Sequence, residues 1–226
     1  MKDFRPLVVA GTIALLASAQ TSAAVVHVEE YAFNVDGAIN SASGINLGGF
    51  NTSTGLGVIR YTITGAGSHF ADLFVDHEID ENSNTFFNGS GATSGVAAAG
   101  QSWEIDEPGF SFGNIYTHFT GSALDNTNAV PAGSPDDVSM AMGWDFTLLT
   151  GETATIDFFL SEIAPFSGFY LAQSDPDSLA SIYLSSSMGI RGSGGTIPEP
   201  ASLGLMGLGL LGLWQVHRGK AAKQCV

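Results

Sequence analysis

A single cysteine, Cys225, and no lysine between Lys2 and Lys220 are the first marks of this 226-residue chain. One cysteine excludes an internal disulfide and a thiolate metal cluster, so in an oxidising compartment the fold must rest on burial alone. A segment of about 165 residues can bury about 70% of its chain surface, which suffices for one unstapled core. Positive charge is equally scarce. Residues 25–197 hold Arg60 and Arg191 against twenty acids, a net charge of −18 with histidine neutral. Such a charge keeps a protein soluble, favours divalent cations or cationic surfaces, and disfavours nucleic acid, anionic lipid and lipopolysaccharide as direct partners. There is no Gly-x-Ser-x-Gly elbow, phosphate loop or Cys-His pair, so ester hydrolysis, nucleotide chemistry and thiol chemistry lack a starting residue.

The positive charge that exists lies at the two ends. Lys2 and Arg5 precede an apolar stretch from Leu7 to Ala17, and small residues follow at Ser18, Ala19, Ser22, Ala23 and Ala24. This order predicts a secretory signal peptide over 1–24. Cleavage after Ala24 puts Ser22 and Ala24 at the two small-residue positions, and cleavage after Ala23 or Ala19 is nearly as good. At the other end Pro198-Glu199-Pro200 leads into an uncharged run from Ala201 to Val216, then Arg218, Lys220 and Lys223. The run predicts a transmembrane helix over 201–217, short against the ~20 residues an ideal span needs, with Trp214 at the cytoplasmic edge and a basic tail over 218–226.

This tail resembles the PEP-CTERM sorting domain, also called the ice-binding protein C-terminal domain. The match is carried by Pro198, Glu199 and Pro200, the apolar helix and the basic residues Arg218, Lys220 and Lys223. The family usually ends in a dense arginine cluster, whereas here three basic residues spread over six positions. The resemblance implies an exosortase as partner, anchoring in the inner membrane before cutting near the motif, and then release or display at the cell surface. The domain's name says nothing about ice, since unrelated cargo shares the address.

Between the ends, alternation rather than helical spacing dominates. Gly55–Ile63 and Glu152–Ser161 read as strands with one face inward, the second placing Ile156, Phe158 and Leu160 opposite Thr155, Asp157 and Phe159. Val138–Leu149 with the following Thr150-Gly151-Glu152 reads as a hairpin with the next strand. Gly168–Gln173 and Ala180–Ser186, around Ser174–Ser178, read as another. Ile115, Phe119 and Ala123, with Tyr116 and Leu124, fit a helix of two or three turns, while Gly89–Gly100 has the composition of an exposed loop. The expectation is an all-β exported domain over 25–190, an antiparallel β-sandwich of jelly-roll type with one short helix, and a Gly/Ser linker over 191–197.

Within that domain a near-repeat stands out: His77-Glu78-Ile79-Asp80-Glu81 and Trp103-Glu104-Ile105-Asp106-Glu107. In a strand Glu78 and Asp80 share a face, as do Glu104 and Asp106, and Asp76 extends the first row. Same-face acids repel unless solvated or bridged, which makes Asp76, Glu78 and Asp80, with Asn82 or Asn84, a candidate Ca²⁺ site. It is not an EF-hand, because Glu81 stands where the loop needs glycine and Phe87 where it needs glutamate. Glycoside hydrolysis on the Glu-x-Asp-x-Glu pattern of laminarinase-type jelly rolls fails on spacing: the second glutamate directly follows the aspartate and turns to the opposite face. His69 and His77 lack a third ligand at suitable spacing. Trp103, Trp144 and the fifteen phenylalanines suit a core better than a sugar platform.

Phrases such as Ala99–Gly109, Asp125–Asn128 and Gly143-Trp144-Asp145-Phe146 are similar to a group of PEP-CTERM proteins of like length. That resemblance implies a secreted protein of an exopolysaccharide-making Gram-negative bacterium and carries no catalytic residue. The expectation is a non-enzymatic matrix or adhesion component, with exopolysaccharide or cell-surface glycan as a partner. The alternative is a carbohydrate-active enzyme or a Ca²⁺-dependent glycan-binding protein of the jelly-roll class.

Overall fold

The computed structural model describes residues 24–41, 43–81 and 85–192. The expected signal peptide up to Ala23, the sorting motif Pro198-Glu199-Pro200, the helix over 201–217 and Arg218, Lys220 and Lys223 lie outside them. No helix among the described residues is long and apolar enough to cross a membrane.

Among the described residues eleven strands, one α-helix and a short 3₁₀ turn (Phe86–Asn88) follow in chain order: β1 (Val26–Val35), β2 (Ala38–Ile39), β3 (Ile45–Asn51), β4 (Leu56–Thr64), β5 (Gly67–Ile79), β6 (Ser90–Ser94), β7 (Gln101–Asp106), α1 (Ile115–Gly121), β8 (Ser139–Leu148), β9 (Glu152–Ser161), β10 (Tyr170–Ser174) and β11 (Ser181–Gly192). They form two antiparallel sheets. The first has the order β2-β1-β5-β8-β7 and the second β3-β4-β9-β11-β10-β6. The expected two-sheet sandwich with one short helix is what is found. Its strand order contains four sequence-adjacent pairs, β1/β2, β3/β4, β7/β8 and β10/β11, so local connections build much of each sheet, unlike the nested wrap of a jelly roll.

Period-two alternation sends Ile59, Tyr61, Leu73, Val75, Met140, Met142, Ile156, Phe158 and Leu184 into the space between the sheets, all fully buried. Tyr61 and Phe158 meet there with ring centroids 5.1 Å apart. Trp144 is core as well, its Nε1 donating to Ser186 Oγ at 2.8 Å, and Trp103 packs on the core's edge against Phe169.

Three local expectations need correction. The segment after β8 is not a hairpin turn: β8 pairs β5 and β7 in one sheet, β9 pairs β4 and β11 in the other, and Leu149–Gly151 arches between them. Both edges of each strand are already taken, so the two cannot pair with one another. Gly151 (φ +83°) and the bond from Leu149 N to Glu152 Oε2 (2.7 Å) make the arch. Within the expected loop Gly89–Gly100, residues Ser90–Ser94 form an edge strand on β10, where Gly91 packs against Ile105 with no room for a side chain. Finally, β11 runs through Arg191 and Gly192, paired with Thr153 and Glu152, two residues into the expected linker.

One outer face of the sandwich is covered. The cross-strand row Ala32, Phe74, Ala141 sets a large ring between two small side chains, and Ile115, Phe119 and Leu124 of the α1 segment pack onto it. Ser122 (φ +48°) ends the helix in the left-handed conformation, and Asn34 Nδ2 donates to the carbonyls of Phe119 and Thr120 at 2.8 and 3.2 Å. The helix leaves one end of this face open, and the acids collect there.

Candidate functional site

Strand β5 is the spine of the acidic face. Its even positions, Asp72, Asp76 and Glu78, point away from the inter-sheet core, with Phe74 under the helix, while His77 and Ile79 point inward. Register then lines up Glu30, Asp76, Ser139 and Asp106 across β1, β5, β8 and β7. Ser139 Oγ donates to Asp76 Oδ1 at 2.9 Å.

Asp76 and Glu78 are joined by Asp137, which enters from the segment before β8. One carboxylate oxygen of each lies within 4.8 Å of the others. Burial, then the neighbouring Asp137, pushes Asp76 up to about 7 and Glu78 up to about 8, and burial pushes Asp137 up to about 6. These shifts make the cluster costly to ionise fully near neutral pH. Asp80, which was expected beside Asp76 and Glu78, sits elsewhere: its left-handed backbone (φ +55°) ends the strand, and its Oδ1 accepts from Val25 N at 2.6 Å. Asn82 and Asn84 lie outside the described residues.

The second half of the near-repeat has a different environment. Asp106 shares a row with Asp76 and Glu104 with Phe74, so the two similar segments are out of register on the sheet by four residues. Glu104, almost wholly buried beneath α1, is held 2.9 Å from His118 Nδ1 by either oxygen and accepts from Asp125 N at 3.3 Å. Burial raises its pKa, and the bonds to His118 and Asp125 N pull it back. Glu104, His118 and Asp125 also bring ligand atoms within 4.8 Å of one another, but Glu104 already has hydrogen-bond partners in His118 Nδ1 and Asp125 N. Glu107 follows the strand end and faces a loop cavity, apart from Glu104.

The other histidines do not converge. His69 bonds Asp36 Oδ2 at 2.7 Å and the Gly65 carbonyl at 3.0 Å, and the Asp36 bond raises its pKa. His77 lies in the core with Nε2 on the Gly55 carbonyl (3.2 Å) and is pushed down to about 4 by burial. Sequence reasoning missed Asp137 and His118. The Asp136-Asp137 pair just ahead of the β8 pattern and the histidine one helical turn after Asn114 were the signals, and neither says which strand it will meet.

Beside the carboxylate cluster lies a cavity of ≈ 530 Å³ between the turn Phe86–Asn88 and the loop after β7, with Asp136 and Asp137 in its wall. The loop is pinned at its base. Asn114 N donates to Asp106 Oδ2 (2.8 Å), and Gly113 (φ +76°) passes so close to the Glu107 carbonyl that no side chain fits.

On the other outer face, Arg60 forks onto Asp157 at 2.6 and 2.8 Å, and Arg191 flanks the same shallow depression. These are the two lysine or arginine side chains among the described residues, and both lie on the sheet that does not carry Asp76, Glu78 and Glu104.

No curated protein and no solved structure matches the chain. The PEP-CTERM protein-sorting motif matches residues 196–218, a segment holding Pro198, Glu199, Pro200 and Arg218 and ending before Lys220 and Lys223. An acidic, disulfide-free sandwich is therefore joined to a signal for export and membrane-associated sorting, and the chain is a carrier of the PEP-CTERM motif recognised by exosortase.

Proposed function

We propose that the chain is a non-enzymatic component of the extracellular matrix or of cell-surface adhesion. In this reading it is held in the inner membrane by residues 201–217, cut near Pro198-Glu199-Pro200, and then displayed or released, with exopolysaccharide or cell-surface glycan as its contact. The motif at residues 196–218 is the observation that carries the proposal. The sandwich supports it from the other side: the acids nearest a glucanase pattern, Glu104 and Asp106, are tied to His118 and to Asn114 N. Cells with and without the exosortase should yield mature C termini of different mass, the shorter one ending near Pro198 in the exosortase-positive strain. An intact tail in both strains overturns the sorting step, and reducing sugar released from β-glucan, abolished by Glu104→Gln, overturns the non-enzymatic one.

A second reading, Ca²⁺-dependent binding, is favoured by the convergence of Asp76, Glu78 and Asp137. Calcium at pH 8 should then raise the melting temperature by several degrees, and Glu78→Gln should remove the gain. Equal melting with and without calcium eliminates this reading and leaves the first intact.

A further inference from the structure

The cavity beside the carboxylate cluster combines two features that are costly apart. Phe86, Phe87, Phe110 and Phe112 line it, and each is more than half exposed, so four of the six exposed phenylalanines among the described residues gather at one cavity. The Phe86 and Phe87 rings stand 5.2 Å apart at 88°, so they present two walls rather than one flat platform. The same cavity wall carries Glu107 and Asp137, with Asp136 beside them. Neither forms an ion pair among the described residues, and both basic side chains described lie on the opposite sheet. The space of ≈ 530 Å³ is that of a small-molecule site.

We propose that this cavity binds a small organic ammonium ion, its methyl or methylene groups against the phenylalanine rings and its charge beside Glu107 and Asp137. Aromatic faces carry negative potential and attract a cation whose weakly hydrated alkyl shell they can also desolvate. A carboxylate in the same wall adds charge of the opposite sign. Calcium does not suit this space, because a hard cation needs six to eight oxygen ligands and the lining is largely apolar. A neutral sugar brings no positive charge to meet the carboxylates in the wall. The inference is independent of the sorting and matrix reading.

The test is calorimetric titration of the full chain, in a maltoside detergent, with choline chloride against 3,3-dimethyl-1-butanol, which has the same shape without charge, at matched ionic strength. Choline should give a saturable heat and bind at least about tenfold more tightly than the alcohol. Phe112→Leu, which keeps apolar area but removes the ring, and Glu107→Gln, which lies outside the Asp76 cluster, should each weaken choline several-fold at unchanged melting temperature. Absence of a saturable heat from choline overturns the proposal, as does equal binding of the alcohol, which would make the cavity a plain apolar one. The wild-type comparison stands alone should either variant lose its fold.

Discussion

Raising the pH from 6 to 8 should lower the melting temperature of this protein in the presence of a chelator, the reverse of what acid titration does to most acidic proteins. Asp72 and Asp76 hold their protons to about pH 7 when folded, against 3.8 for the ordinary carboxyl, and burial is the main cause at both. Across that window the folded state binds more protons than the unfolded chain, so stability falls as pH rises. His77 works the other way. Buried and held down to about 4 from 6.5, it favours the folded state as pH rises above about 4, and its effect ends only about one pH unit above the unfolded value, so it offsets part of the carboxylate loss between about pH 6 and 7. His69, raised by its bond to Asp36, works in the same direction as the carboxylates. At ~1.4 kcal/mol per pH unit for each fully shifted group, Asp72 and Asp76 together lose about 2 kcal/mol between pH 6 and 8. For a domain of this size that is a fall of about 4–8 °C. Glu78 and Asp137 add in the same direction. Calorimetry across this range checks it: the double variant Asp72→Asn/Asp76→Asn should flatten the profile, and a wild-type melting temperature that stays level or rises refutes the assignment of buried, protonated acids.

Replacing Gly143 by alanine should destabilise the protein by about 2–3 kcal/mol, an overpacking cost set by one neighbour. Gly143 lies mid-strand in β8, opposite Asp72 on β5 and Ser102 on β7. A side-chain carbon there would land on Asp72 Oδ1 and within 3.1 Å of Ser102 Oγ. Asp72 has little room to yield. It is almost fully buried, its Oδ2 has no hydrogen-bond partner, and the Ser122 hydroxyl at the helix end pulls its raised pKa back down. The glycine thus exists to house a carboxylate, and removing the carboxylate should release the constraint. Asp72→Ala/Gly143→Ala should melt above Gly143→Ala alone, with a coupling of about 1 kcal/mol or more. Strictly additive effects in denaturant unfolding would show that the two positions do not oppose each other.

Some of this was legible in advance and some was not, and the division follows the range of the forces involved. The faces of β4 and β9 follow from period-two alternation, and the β10/β11 hairpin from its Ser-Asp-Pro-Asp-Ser turn. The helix around Ile115 and Phe119 follows from four-residue spacing. The arch after β8 looked like a hairpin because a short glycine turn between two alternating runs is the same signal in both cases. What separates them is competition from β5 and β7 for the edges of β8, residues that lie far away in sequence. The Ca²⁺ candidate illustrates the same limit. Alternation put Asp76 and Glu78 on one face correctly but extended the strand to Asp80, where the backbone turns left-handed. The third acid of the cluster, Asp137, comes from a segment some sixty positions away.

By itself the sequence determined the properties that need no partner residue. These are the sorting motif over 196–218, the surplus of acids, the absence of a disulfide, and the β character of the exported part. They are compositional or local, so they survive without knowledge of contacts. Only the tertiary structure decided which acids meet, which histidine becomes a core residue, and which outer face α1 covers. Those outcomes depend on cross-strand register and on which strand edges remain free. Both are set by the competition of many weak long-range contacts rather than by any one stretch of chain.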